Sequence, residues 1–376
     1  MSKKSFLALC VVAAVAVVLA FVAVFSQPQP LKTVTDRRPL FPELIKNVDT
    51  LKSVVIHHGG ETTTLDWDGK VWHNRERNNF PADPAKLTNL VVRLAQMAKL
   101  EPKTKQADRY NRLDLEDPNA KDSKAQQVIL LDGAGKELAN VIVGKTKASS
   151  GNGQEGGTYI RLPNDPQTWL AAGELSLGQT PAEWLPREVL DIPDGAVKSV
   201  TITHPNGEKI VVFKADPTEK NYTVENLPKG MKLPDPAVAD NDARVLAGFT
   251  FDDVAPAASK PFPKDKTITA VVEGFAGFKV NLEMLMEKQN AWVKLQGVAP
   301  PPRTTPAAPA GVQVTDLRHD WDKTMTDLNT KADGWVFRVP LYQVEALNRR
   351  MADLMKKPEN PDMGAPQGVP LGPPPG

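Results

Sequence analysis

The chain has 376 residues and one cysteine, Cys10. A single cysteine excludes an internal disulfide framework. It lies inside an apolar run, so the soluble part has no thiolate chemistry either. Charge of one sign is lacking as well: Lys plus Arg number 46 and Asp plus Glu 45. Such a balance gives no global field to attract nucleic acid, and no nucleic-acid partner is expected. Aromatic residues make up only 6%. No Gly-x-Ser-x-Gly elbow occurs, which removes the commonest serine-hydrolase signature.

The residue types that carry chemistry are present, but not in the patterns chemistry needs. His57 and His58 are neighbours whose side chains point apart, and His73, His204 and His319 stand at no metal-ligand spacing. They read as solvent-facing histidines at turn tips, and no metal site is expected. Gly144-Lys145-Thr146 resembles the end of a phosphate-binding loop. That loop needs glycine five positions earlier, where this chain has Ala139, and a helix directly after. Leu175-Ser-Leu-Gly-Gln179 has the look of an ABC signature loop, a chance match without a phosphate loop. Asp66 and Asp68 flank Trp67, a possible carboxylate pair beside a sugar-stacking ring. The Asp68-Gly69 turn explains the second of these, and both read as solvated. No catalytic, cofactor-binding or metal residue is assigned, no cofactor is expected, and the reading is that of a non-enzyme.

What the chain does have is Phe6–Phe25, twenty residues without charge, Pro or Gly. As a helix it spans roughly 30 Å, one hydrocarbon thickness. Its seven Val, three Leu and three Phe each favour insertion by roughly 0.3–0.6 kcal/mol. Lys3 and Lys4 precede it as in a secretory signal, yet the run is longer than a cleaved signal core and Val24-Phe25-Ser26 is a poor cleavage site. Residues 1–30 therefore read as an uncleaved anchor with its N-terminus in the cytoplasm. Pro28 and Pro30 end the helix and begin a stalk.

Beyond the stalk one grammar appears twice. Leu51–Ile56, Thr62–Trp67 and Val71-Trp72 read as strands joined by turns, followed by a helix capped by Asp83-Pro84. Leu87, Leu90, Val91, Leu94 and Ala98 give that helix its stripe. Strands follow at Gln127–Leu131, Ala139–Val143 and Thr158–Leu162, with a glycine-rich loop at Ser149–Gly157. A short helix is expected at Gln167–Ala172 behind Asp165-Pro166. Val197-Lys-Ser-Val200 then echoes Leu51-Lys-Ser-Val54. Strands at Lys209–Phe213 and Tyr222–Val224, a helix from Asp235-Pro236 to Leu246, and strands at Thr267–Glu273, Lys279–Leu285 and Ala291–Leu295 follow. Trp335–Val339 answers Thr158–Leu162, and helices are expected around Leu317–Leu328 and over Leu341–Met355. The expected fold is α+β, with mostly antiparallel strands and amphipathic helices on one face. It is divided into two related units at 45–190 and 195–357. A Pro/Ala insert occupies 299–310. The tail, 358–376, holds seven Pro and four Gly and reads as disordered.

This layout resembles a bacterial family known as domain of unknown function 4340. The carrying features are the anchor, Trp67 and Trp72 beside a turn, and the capped helix Asp83–Lys99. Tyr110, Leu113 and Pro118 follow in a connector before Val128–Leu131, then Val143-Gly144 and Thr158–Leu162. The family's Tyr-Gly-Leu is here Tyr110-Asn111-Arg112-Leu113. The resemblance covers most of residues 45–357. It implies a membrane-anchored accessory partner of an ABC-type export or gliding-type transporter, with the body in the periplasm. Two other readings stay open: a cell-envelope glycan-binding module that uses exposed tryptophan, and an envelope hydrolase with a dispersed site.

Overall fold

The computed structural model describes residues 38–149, 155–225, 227, 233, 235, 237–301 and 320–355. The run Phe6–Phe25, the stalk, most of the 299–310 insert and the tail lie outside the described residues. Among those described, no helix is long and apolar enough to cross a membrane. The chain divides into two compact units. Unit 1 holds the residues up to His73 together with Asp83–Thr180; unit 2 holds Asn74–Ala82 and everything from Pro181 onward.

Unit 1 begins with α1 (Pro42–Lys46) and a 3-10 turn at Val48–Thr50. Strands β1 (Leu51–His58), β2 (Glu61–Trp67) and β3 (Trp72–Asn74) follow. After the short β4 (Phe80–Pro81) comes α2 (Pro84–Gln96). Asp83 caps α2 by accepting from Ala85 N at 2.9 Å. Pro84 stands at the first position, where the missing N–H costs nothing, and Leu87, Leu90 and Leu94 are buried. Then come β5 (Lys99–Pro102), β6 (Gln126–Asp132), β7 (Glu137–Lys147), β8 (Gly157–Arg161) and β9 (Thr168–Ala171). Within the unit these strands lie in the order β3-β2-β1-β6-β7-β8-β9-β5.

Unit 2 contains β10 (Glu188–Leu190), β11 (Val197–Thr203), β12 (Lys209–Phe213) and β13 (Thr223–Val224). After α3 (Ala237–Ala243) come β14 (Phe249–Thr250) and β15 (Asp253–Pro256). Strands β16 (Thr267–Gly274), β17 (Lys279–Glu287) and β18 (Asn290–Val298) lead to α4 (Trp321–Ala332). The unit closes with β19 (Trp335–Pro340), α5 (Leu341–Asn348) and α6 (Met351–Leu354). Its main sheet runs β13-β12-β11-β16-β17-β18-β19-β15. That is the unit 1 order, strand for strand. In both sheets the outermost strand, β5 or β15, comes from mid-sequence, after a helix. The likeness extends to an irregularity. The β1–β6 register shifts between Leu51 and Ser53, and the β11–β16 register between Val197 and Ser199. Such a β-bulge bends and twists its strand, and here it falls on the echoing Leu-Lys-Ser and Val-Lys-Ser.

The fold is α+β, and the pairs with resolved register are antiparallel. Several expectations need correction. Gln167–Ala172 is not a helix: Thr168–Ala171 is strand β9, held between β8 and β5. Asp165 caps only a turn, accepting from Gln167 N at 2.9 Å. Trp335–Val339 does not answer Thr158–Leu162. In sheet order β19 takes the place of β9, and β18 that of β8. Leu341–Met355 is two helices, because Arg349 and Arg350 adopt extended backbone with ψ of 148° and 159°. The helix after Asp235 stops at Ala243.

Residues 74–82 supply unit 2 with part of its centre. Phe80 is 1% exposed. Its ring meets Trp335 at 4.9 Å, Phe251 at 5.9 Å and Phe337 at 6.2 Å between centroids, each edge to face. Arg77 Nε donates to Asp253 Oδ1 at 2.6 Å, and Asn74 Nδ2 donates to the Pro181 carbonyl at 2.7 Å. Edge-to-face rings add about 0.5–1.5 kcal/mol beyond the apolar area they bury. Phe80→Ala is therefore expected to cost about 3–5 kcal/mol. Amide hydrogen exchange should show the loss in β15 and β19 of unit 2 rather than in β1 and β6.

Candidate functional site

The residues singled out by sequence are placed separately. Gly144-Lys145-Thr146 lies within β7. A Cβ at Gly144 would stand 2.1 Å from the Leu113 carbonyl oxygen, so this glycine admits a crossing backbone rather than a phosphate. Asp68 is a turn clasp. It accepts from Lys70 N at 2.7 Å and Val71 N at 2.8 Å, and its other oxygen meets His73 Nε2 at 2.8 Å. Those donors, Val71 N above all, hold its carboxyl far below the usual range, which makes it a poor base. Asp66 accepts from the Ser53 hydroxyl at 2.8 Å. His57 Nδ1 meets the Thr62 hydroxyl at 3.0 Å and His58 Nδ1 the Ala125 carbonyl at 3.2 Å. Among the described residues no group of three His, Cys, Asp or Glu could hold a metal. His319 lies outside the described residues.

His204 corrects the reading of tip histidines in solvent. It is 2% exposed. Its Nε2 meets the Arg349 carbonyl at 2.9 Å, and burial lowers its pKa. The turn it belongs to grips the junction between α5 and α6. Arg350 Nη1 donates to Asn206 Oδ1 at 2.8 Å and to Glu208 Oε2 at 3.0 Å, and Met351 N donates to Glu208 Oε1 at 2.9 Å.

The most unusual group of the fold adjoins this junction. Asp242 is 1% exposed, and among the described residues neither carboxylate oxygen has a hydrogen-bond partner. Arg349 Nη1 stands 3.6 Å from Oδ1. That is an ion-pair distance but beyond hydrogen-bond reach. Burial pushes the Asp242 carboxyl up to about 7, with Arg349 opposing. Ala239, Asp242 and Ala243 are the buried residues of α3, so helical spacing puts Asp242 on the apolar stripe. That spacing was the signal available in the sequence; Arg349 had none.

Arg349 also lines a cleft of about 590 Å³, with Asn241, Arg244, Gly248, Tyr342 and Gln343. Arg244 Nε is engaged by Asp194 Oδ2 at 2.9 Å, and Gln343 Nε2 by the Thr250 hydroxyl at 2.9 Å. A second, polar cleft of about 620 Å³ in unit 2 includes Asn281, Glu283, Lys294 and Asn329. Asn329 is committed to backbone. It accepts from Gly297 N at 2.8 Å and donates to the Gly297 carbonyl at 2.9 Å. Arg244 and Gln343 in the first cleft and Asn329 in the second thus serve the framework.

A carboxyl raised from 3.8 to about 7 by the fold binds its proton in the folded chain and not in the unfolded one between those values. Stability therefore falls as pH rises through that window. His204, with its lowered pKa, acts the other way and is lost toward acid. Asp242→Asn removes the first dependence alone. It should gain about 1–3 kcal/mol over the parent at pH 8 and little at pH 5, read from urea unfolding at both pH values.

Residues 72–269 fit the family described as Domain of unknown function (DUF4340), a stretch that contains the crossing segment 74–82 and parts of both units. No curated protein and no solved structure matches the chain. The matched stretch is shorter than the 45–357 expected, but it exceeds half of the 376 residues, and the protein belongs to this family.

Proposed function

We propose that the protein is a non-enzymatic accessory or scaffold component of a bacterial inner-membrane complex. Phe6–Phe25 anchors it, the body lies in the periplasm, and the partner is an ABC-type export or gliding-type transporter. The body consists of two copies of one unit. The observation that carries the reading is the doubled sheet: two strand orders that agree over eight strands, with a bulge at the same place in each. A chain that repeats one framework offers paired surfaces. A transporter built from two similar halves offers paired docking places to match. The use of the titratable groups supports the same view. Asp68 clasps a turn, His204 and Glu208 fix a helix junction, and Asp242 is sealed from solvent.

Two measurements test this. A periplasm-dependent reporter fused after residue 355 should be active, and activity only of a cytoplasm-dependent reporter would reverse the orientation. Crosslinked full-length protein, solubilised and purified, should carry transporter permease or ATPase subunits identified by mass spectrometry. Recovery as a monomer without a membrane partner would count against the scaffold role.

A further inference from the structure

Register places several features of unit 1 at one end of its sheet. Ser53 faces Asp66, Leu51 faces Asp132, and Leu131 faces Glu137. The β2–β3 turn and the β6–β7 turn therefore share that end. So do α1 and the Val48–Thr50 turn, which lead directly into β1. Lys136 of the β6–β7 turn reaches Glu43 of α1 at 3.5 Å.

This end exposes apolar side chains between its charged turn residues. The described residues expose six large apolar side chains, and three of them are here: Ile45 at 48%, Val48 at 48% and Val71 at 41%. Beside them the rings of Trp67 and Trp72 pair at 5.6 Å, each half-buried. The corresponding end of unit 2 serves as an internal control. There the 3-10 turn is Asp194–Ala196, the β12–β13 link is the polar run Lys214–Asn221, the β16–β17 turn carries the half-buried Phe275, and among the described residues Val298 is the one large apolar side chain exposed. Among the described residues the unit 1 end thus exposes three large apolar side chains against one at the unit 2 end.

We infer that this end of unit 1 rests on the bilayer surface, with Ile45, Val48, Val71 and the Trp67–Trp72 rim entering the boundary between headgroups and acyl chains. The inference rests on the anchor reading of Phe6–Phe25. Twelve residues, 26–37, join that run to Arg38, and fully extended they reach about 40 Å. The tether keeps this end within range of the membrane at all times. Charge argues for apolar rather than electrostatic contact. Lys46, Lys52, Lys70 and Lys136 are outnumbered by Glu43, Asp49, Asp66, Asp68, Asp132 and Glu137, so this end has no positive excess to draw it to anionic headgroups. Tryptophan favours such an interface because its ring is apolar and its N–H polar. The lysine stems can lie along the apolar surface with their ammonium groups in water.

The test uses full-length protein in phosphatidylcholine liposomes that carry doxyl-labelled lipid, with an environment-sensitive fluorophore on one cysteine. The native Cys10 reports on the anchor. On a Cys10→Ala background, Val71→Cys and Val48→Cys report on the proposed contact, and Glu61→Cys reports on the opposite end of the sheet. Labels at 71 and 48 should be quenched by shallow doxyl lipid about twofold or more over the label at 61, as burial of about 5–10 Å requires. The difference should survive high salt. If Cys10 is quenched by deep doxyl lipid while 71 and 48 match 61, the surface inference fails and the anchor stands. If Cys10 is also unquenched, the anchor reading fails and the inference falls with it.

Discussion

Phe80 sets the terms on which this chain folds. It comes from the first quarter of the sequence, yet its ring is closed in by Trp335, Phe251 and Phe337 of unit 2. Burying a phenylalanine contributes about 1.5–3 kcal/mol, and three edge-to-face neighbours add to it. The two units are therefore not two successive lengths of chain. The backbone leaves unit 1 after His73, gives nine residues to unit 2, and returns at Asp83. No single cut in the sequence leaves both units whole. Unit 2 cannot complete its aromatic centre until residues 74–82 and 335–337 have met, a long-range closure that slows folding.

Against that interlocking, the repetition of the sheets is informative. A shared strand order could arise from general preferences for antiparallel neighbours. A bulge at the same point of the same strand is more specific, because it fixes where the strand twists and which residue goes unpaired. Lys52 and Lys198 occupy that point. Each is preceded by a 3-10 turn and a buried aliphatic residue, Leu51 or Val197. The two sheets thus start, bend and close alike, and each takes its last strand from the segment behind its helix.

The strands were legible in the sequence wherever the pattern was local. Val54 and Ile56 alternate with Ser53 and Val55, and Asp83-Pro84 opens a stripe long enough for three inward turns. The same dipeptide at Asp165-Pro166 misled, because a cap marks a possible start and not a helix. The six residues behind it carry Thr168 and Trp169, and strands β8 and β5 offer their backbone better partners. His204 misled for a different reason. In sequence it is one more histidine at a turn, like His57 and His58. Its burial comes from the Arg349 carbonyl, 145 positions away. The break in the last helix comes from the same long-range grip, through Glu208 on Met351 and Arg350.

Alike in topology, the units differ in where they accept unfavourable groups. Unit 2 keeps its cost inside: among the described residues Asp242 finds no hydrogen bond and only Arg349 within ion-pair distance. An ionised carboxylate so placed would be several kcal/mol less stable than in water, so the proton stays on to near neutrality. Its α3 helix is short, and the cleft beside it is bounded by Arg349 itself. The strain therefore lies where α3, α5 and α6 meet, the part of unit 2 held by single side chains rather than by strand ladders. Unit 1 places its cost outside, as apolar side chains in water at one sheet end. A surface of that kind is stable in isolation but gains on being covered. Two copies that began alike would diverge in this way if one kept its framework closed and the other turned its sheet end toward a neighbour.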